Sequence, residues 1–218
     1  VGEQQMADSD LNQLQEEFSR FREACIWLRI CFNTGNYLFG SDAEVEAILN
    51  QSAPLFFTDL NTILQEYFFL QVRRITDPEK THDRENLTLL NLNSQLRQKG
   101  RLTPRIEALT SEIQAYGKFV RNEIVNRRVA HADKQTALKS GLVGEHPAEN
   151  LDAFLENIQA YTDEVGNALR DEVGNALRVD PLDYRVQPGK GDVRDLVHLL
   201  KRGLAQLQSK AAPNKAVP

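Results

Sequence analysis

At 218 residues the chain has the length of one medium domain or two small ones, and 41% hydrophobic with 26% charged residues is the balance of an ordinary globular protein. Twenty-six Lys and Arg against 31 Asp and Glu leave a net charge of −5, which excludes a uniformly basic nucleic-acid binder. No apolar run approaches the roughly 18–20 residues of a membrane span, so no membrane partner is expected.

In chain order, the acidic, polar start VGEQQMADSD shows no basic region followed by an apolar one, so residues 1–8 are expected to be a flexible N-terminus and the chain to be cytoplasmic. Leu11, Leu14, Phe18, Phe21, Cys25 and Leu28 recur at three- and four-residue steps, which predicts a helix with one buried stripe. Within it, Cys25 and Cys31 would stand about 9 Å apart along the axis, beyond disulfide reach. The run Asn33-Thr34-Gly35-Asn36 is expected to end this helix. Ser41-Asp42 caps a short helix through Asn50, with Glu44 and Glu46 in its first turn. Pro54 opens a longer helix over 55–75, apolar on so many sides that it is expected at the centre of the bundle.

DPEKTHDRE, from Asp77 to Glu85, reads as a charged loop. Its carboxylates and His82 are expected to be solvated, not a metal site. Asn86 reads as a helix start, with the helix running to Gln98. Thr103 caps the next helix with Pro104 at its first position, and Glu107 is placed for a reciprocal capping contact. Ile106, Leu109, Ile113, Tyr116, Val120 and Ile124 form its stripe. Gly141–Gly144 is a loop, and another helix starts near His146-Pro147 and carries Leu151, Phe154, Leu155, Ile158 and Tyr161. DEVGNALR occurs twice, at 163–170 and 171–178; eight residues turn a helix face by about 80°, so this reads as a tandem insertion that lengthens one helix. Gly189-Lys190-Gly191 is read as a helix-start turn rather than a phosphate loop. Val193, Leu196, Val197, Leu200, Leu204 and Leu207 mark the last helix, and 209–218 a loose tail. No strand is predicted. One all-α helical domain over 9–208 is the expectation.

The charge is uneven. Between Arg97 and Lys139 ten basic residues face four acidic ones, so this stretch is +6 and the remainder −11. Within it lies Arg121-Asn-Glu-Ile-Val-Asn-Arg-Arg-Val-Ala-His-Ala-Asp133. On a continuous helix His131 shares the azimuth of Ile113, five turns earlier, and Arg127 and Arg128 flank it. An imidazole titrating near neutrality can take the proton of a ribose 2′-hydroxyl or return one to a leaving oxygen. Neighbouring guanidiniums can offset charge developing on phosphoryl oxygens with no metal or cofactor required. The alternative is that His131 hydrogen-bonds a carboxylate while the arginines reach solvent.

Asn126-Arg-Arg-Val-Ala-His131-Ala-Asp133 resembles the signature of the HEPN superfamily. Upstream, Arg74-Ile-Thr-Asp-Pro78 followed by Glu85-Asn-Leu-Thr-Leu89 resembles the second signature of its abortive-infection AbiU-like branch. The resemblance implies an antiparallel helical bundle of HEPN type with additional flanking helices, dimerising so that two motifs share one cleft. It further implies metal-independent RNA cleavage by a toxin or phage-defence protein, with an antitoxin as a further partner. Asn126 and His131 fit the signature, whereas Val125 occupies the usual place of the family arginine. Arg127 and Arg128 are the candidates to replace it. Lys118, Arg121 and Lys134 are the candidate RNA contacts, since RNA affinity rests largely on phosphate neutralisation. Two other functions are left open: a non-catalytic dimer that binds RNA or protein, and an unrelated four-helix interaction domain, favoured if His131 is buried against a carboxylate away from any cleft.

Overall fold

In a computed structural model, described here for residues 2–122, 148–170 and 191–211, nearly every element is helical. They are α1 (Gly2–Phe39), α2 (Ala43–Ser52), α3 (Pro54–Thr76), α4 (Leu89–Gln98), α5 (Pro104–Phe119), α6 (Ala148–Arg170) and α7 (Val193–Ala211). Between α3 and α4 lie two short antiparallel strands, β1 (Lys80–Thr81) and β2 (Arg84–Glu85). The fold is all-α, as its periodicity predicts.

The described residues group into two compact units. The first comprises 1–29 and 66–184. Its core is the stripe read from the sequence: Leu14, Phe18, Phe21, Cys25 and Leu28 of α1 are buried, as are Ile106, Leu109, Ile113 and Tyr116 of α5 and Val120 just beyond it. Helix α5 packs on α6 and α4. Tyr116 stacks on Phe154 with ring centroids 4.3 Å apart, and Phe21 meets Tyr161 edge-on at 5.9 Å. A buried polar chain fixes the register of three helices. The Tyr161 hydroxyl donates to Asn93 Oδ1 at 2.9 Å, and Asn93 Nδ2 donates to Thr110 Oγ1 at 2.7 Å. Burial raises the pKa of both Tyr116 and Tyr161. It also raises those of Cys25 and Cys31, which are free thiols.

The second unit comprises 30–65 and 185–218. Leu38, Val45, Ile48, Leu49, Phe57 and Val197 form its core, with Tyr37, Phe39, Leu60 and Leu200 packed against them. Asp42 caps α2 by accepting from the Glu44 and Val45 amides. Lys201 of α7 hydrogen-bonds Glu44.

Four local expectations are corrected. Helix α1 does not end at Asn33–Asn36 but continues to Phe39, because Tyr37, Leu38 and Phe39 gain burial in the second unit's core. Burial on that scale outweighs the cost of about 1 kcal/mol for Gly35 in a helix. Helix α3 is not enclosed: Leu55 is 81% exposed, and Phe56, Ile63 and Leu70 are also exposed. The charged loop contains a hairpin whose turn is made by His82 at φ 54°, a left-handed conformation, and Asp83. Asn86 ties that hairpin instead of starting a helix. Its amide donates to Glu79 O at 2.7 Å, and its side chain donates to Pro78 O and Thr81 Oγ1. Thr88 is the cap of α4, accepting from Asn91 N at 3.3 Å.

The capping of α5 by Thr103, with Pro104 following, is as expected. Glu107, however, turns its carboxylate to Arg97 at 3.2 Å. The second DEVGNALR copy lies outside the described residues; the first closes α6.

Candidate functional site

The site is built where α3 ends against α5. A helix leaves its last carbonyls without intrahelical partners, and cations near that end are favoured. Here the Thr76 carbonyl accepts from Gln114 Nε2 and from Arg121 Nη2, each at 3.0 Å. Arg121 Nη2 also lies 3.4 Å from Asp77 Oδ1, and Arg73 Nε lies 3.7 Å from the same oxygen. One carboxylate oxygen therefore faces two guanidiniums, and one guanidinium nitrogen serves as a capping donor for α3.

Close backbone approach makes this possible. Thr76 is buried and its hydroxyl donates to Val72 O at 2.8 Å. A β-carbon placed on Gly117 would lie 2.4 Å from Thr76 Oγ1 and 2.5 Å from its Cβ. Only glycine at 117 lets the helices meet there, and the contact brings Arg121, one turn further on, to the end of α3. The helical path widens into a π-turn over 120–122, a local form that is rare in helices and often found at functional sites.

The structure places the sequence-predicted residues as follows. Lys118 is exposed on the last turn of α5. Arg121 is 28% exposed, with Nη2 spent on Thr76 and Asp77 and its buried Nε without a hydrogen-bond partner among the described residues. Asn126, Arg127, Arg128, His131 and Lys134, together with Val125, lie outside the described residues. His82 and His198 are both exposed, and no group of three or more metal-ligating side chains occurs among the described residues. Of the expected helix-start turn Gly189-Lys190-Gly191 the first two residues lie outside the described ones; Gly191, at φ 90°, precedes Asp192, whose Oδ1 accepts from Arg194 N at 2.8 Å. A cavity of about 300 Å³ in the second unit is lined by Asn33, Thr34, Asn36, Tyr37 and Arg194 and contains none of the predicted site residues.

Sequence reasoning missed Thr76, Asp77 and Gln114 as neighbours of Arg121. The one available signal was the Arg74–Pro78 block, read as a signature without a physical role. The structure supplies that role: the block ends α3 and holds the arginine that leads into the Asn126–Asp133 block.

The family profile HEPN_AbiU2, described as AbiU2, matches residues 11–195. The chain belongs to this family of HEPN proteins, the class of abortive-infection proteins that its two sequence blocks suggest. No curated protein and no solved structure matches it. Among the described residues no helix is long and apolar enough to cross a membrane.

Proposed function

We propose that this protein is an abortive-infection effector of the HEPN class that cleaves RNA without a metal ion, acting as a cytoplasmic homodimer held in check by an antitoxin. Membership of the AbiU2 family, together with Asn126 and His131 at the signature positions, supports this reading. The chemistry needs a proton carrier and a cation. His131 takes the proton as the ribose 2′-oxygen attacks phosphorus; the P–O5′ bond breaks, and the 5′-oxygen leaves as a hydroxyl after gaining a proton. Arg127 or Arg128 offsets the charge on the phosphoryl oxygens, and Asn126 orients the strand. Lys118 and Lys134 neutralise backbone phosphates.

The test is incubation of purified protein with single-stranded RNA in EDTA. Cleavage by the wild type and none by His131→Ala is expected; uncut RNA in both, or equal cutting, would refute it. A second reading is favoured by Val125 at the usual arginine position: a non-catalytic dimer that binds RNA. That reading expects salt-sensitive binding with no turnover.

A further inference from the structure

We propose that the exposed stripe of Leu196, Leu199, Gly203 and Leu207 on α7 docks against Leu55, Phe56 and Ile63 of α3 in a second copy of this chain. The inference deepens the homodimer of the reading above, on which it rests for the partner being the same protein, and is independent of RNA cleavage. Both stripes lie in the second unit.

Helix α7 carries more apolar surface than its own unit covers. At about 100° per residue, Val193, Val197, Leu200 and Leu204 fall within about 60° of one another, and these are the residues packed with Leu38, Ile48 and Phe57. Leu196, Leu199, Gly203 and Leu207 form a neighbouring arc of about 80°, and all four are exposed, Leu199 by 63% and Leu207 by 66%. The whole apolar arc is about 160° wide, against roughly 100° for a helix that packs on one core.

Gly203 sits in the middle of the exposed arc. It is helical, so no left-handed conformation calls for glycine, and a β-carbon there would meet no atom within 4 Å among the described residues. Within one subunit this glycine only weakens the helix. A partner backbone crossing closely between Leu199 and Leu207 gives it a reason. Helix α3 offers a face to cross: Phe56 and Ile63, two turns apart and within about 20° of each other, are each 59% exposed, with Leu55 adjoining and exposed Asp59 between them.

Charge decides which faces meet. Residues 196–211 carry Lys201, Arg202 and Lys210 and no acidic group, while residues 54–65 carry Asp59 and no basic one. Two α7 stripes face to face would oppose like charges, and so would two α3 stripes; α7 on α3 of a second copy opposes unlike ones. Lys201 is held by Glu44, so Arg202 and Lys210, both exposed, are the cations that meet Asp59. In a two-fold pair each subunit contributes both faces. Their exposed leucines, Phe56 and Ile63 then offer on the order of 600 Å² per subunit, near the roughly 800 Å² per partner of a standard interface.

The experiment measures association of the full chain by sedimentation equilibrium in four forms: wild type, Gly203→Ala, Asp59→Lys and Arg202→Glu/Lys210→Glu. The wild type is expected to be a dimer at about 10 μM. Gly203→Ala raises the dissociation constant about tenfold or more, because the added methyl fills the crossing point. Its thermal midpoint under monomeric conditions is unchanged or higher, since alanine is the better helix former. Asp59→Lys and the double variant each associate about tenfold or more weakly, and an equal mixture of the two recovers the wild-type constant, because unlike charges again meet at both contacts.

A monomeric wild type overturns the proposal, and its flotation with phosphatidylglycerol vesicles would give the α7 stripe to a membrane surface instead. A dimer whose constant is unchanged in Gly203→Ala, or a mixture of charge variants that does not recover, overturns the contact and leaves the homodimer itself standing. Should a charge variant lose its fold in a thermal melt, Gly203→Ala decides alone.

Discussion

Replacing Gly117 by alanine tests the helix contact on which the site is built. By intrinsic propensity the change should stabilise α5 by about 1 kcal/mol, since glycine is the poorer helix former. The structure reverses that sign. The new β-carbon would stand 2.4, 2.5 and 2.7 Å from Thr76 Oγ1, Cβ and Cγ2. Ordinary carbon contacts begin at about 3.5 Å, so the overlap is about 1 Å. Thr76 cannot rotate away cheaply: it is β-branched, buried, and bonded through its hydroxyl to Val72 O and through its carbonyl to Gln114 and Arg121. Relief requires α3 and α5 to part, at about 1–3 kcal/mol for overpacking. A urea melt of Gly117→Ala should therefore show a lower midpoint at unchanged slope. Thr76→Ala would not relieve the clash, because its own β-carbon remains at 2.5 Å. In a Thr76→Gly background all three atoms are gone, and Gly117→Ala becomes neutral or stabilising. A raised midpoint for Gly117→Ala alone would refute the reasoning.

Asn93→Ala removes the link between Tyr161 and Thr110 and should cost about 1–3 kcal/mol in a urea melt; a loss below about 0.5 kcal/mol would show that the chain of bonds does not fix the core. Burial raises the pKa values of Cys25, Tyr116 and Tyr161, so the native state holds their protons more tightly than the unfolded chain. Stability from this source is intact below the unfolded values, about 8.5 for cysteine and about 10 for tyrosine, and falls as pH rises beyond them. Melts across pH 7 to about 11 check the decline, and a flat profile would contradict it. The same shift predicts that Cys25 resists a thiol reagent in the native protein at about pH 8 and reacts on unfolding. Val125→Arg restores the family's usual residue and should raise RNA cleavage about tenfold or more if a missing guanidinium limits the rate; an unchanged rate would show that Arg127 or Arg128 already serves.

Much of the fold is legible because local and tertiary preferences agree. The stripe from Leu11 to Leu28 and that from Ile106 to Val120 have a single periodicity, and both are buried. Thr103 and Asp42 announce caps with their own side chains. The misreadings occur where tertiary packing decides. Gly35 looks like a stop, but the three apolar residues at 37–39 carry the helix on. The hairpin hides because its strands are two residues long, too short for alternation, and its turn uses a histidine in a left-handed conformation. Phe56, Ile63 and Leu70 read as core by composition, although each faces solvent. A hydrogen bond joins residues 76 and 121, and no local pattern encodes a contact over that separation. His131 and its neighbours are read as chemistry by residue type and spacing, while the contact of Asp77 with Arg121 emerges only from coordinates.

The most direct measurement is the chemistry of the RNA ends after incubation in EDTA with wild type and His131→Ala. Attack by the 2′-oxygen predicts fragments ending in a 2′,3′-cyclic phosphate and beginning with a 5′-hydroxyl, formed by the wild type alone and absent from a strand of 2′-deoxy nucleotides. Fragments with 5′-phosphates, or identical fragments from the His131→Ala protein, would contradict the account.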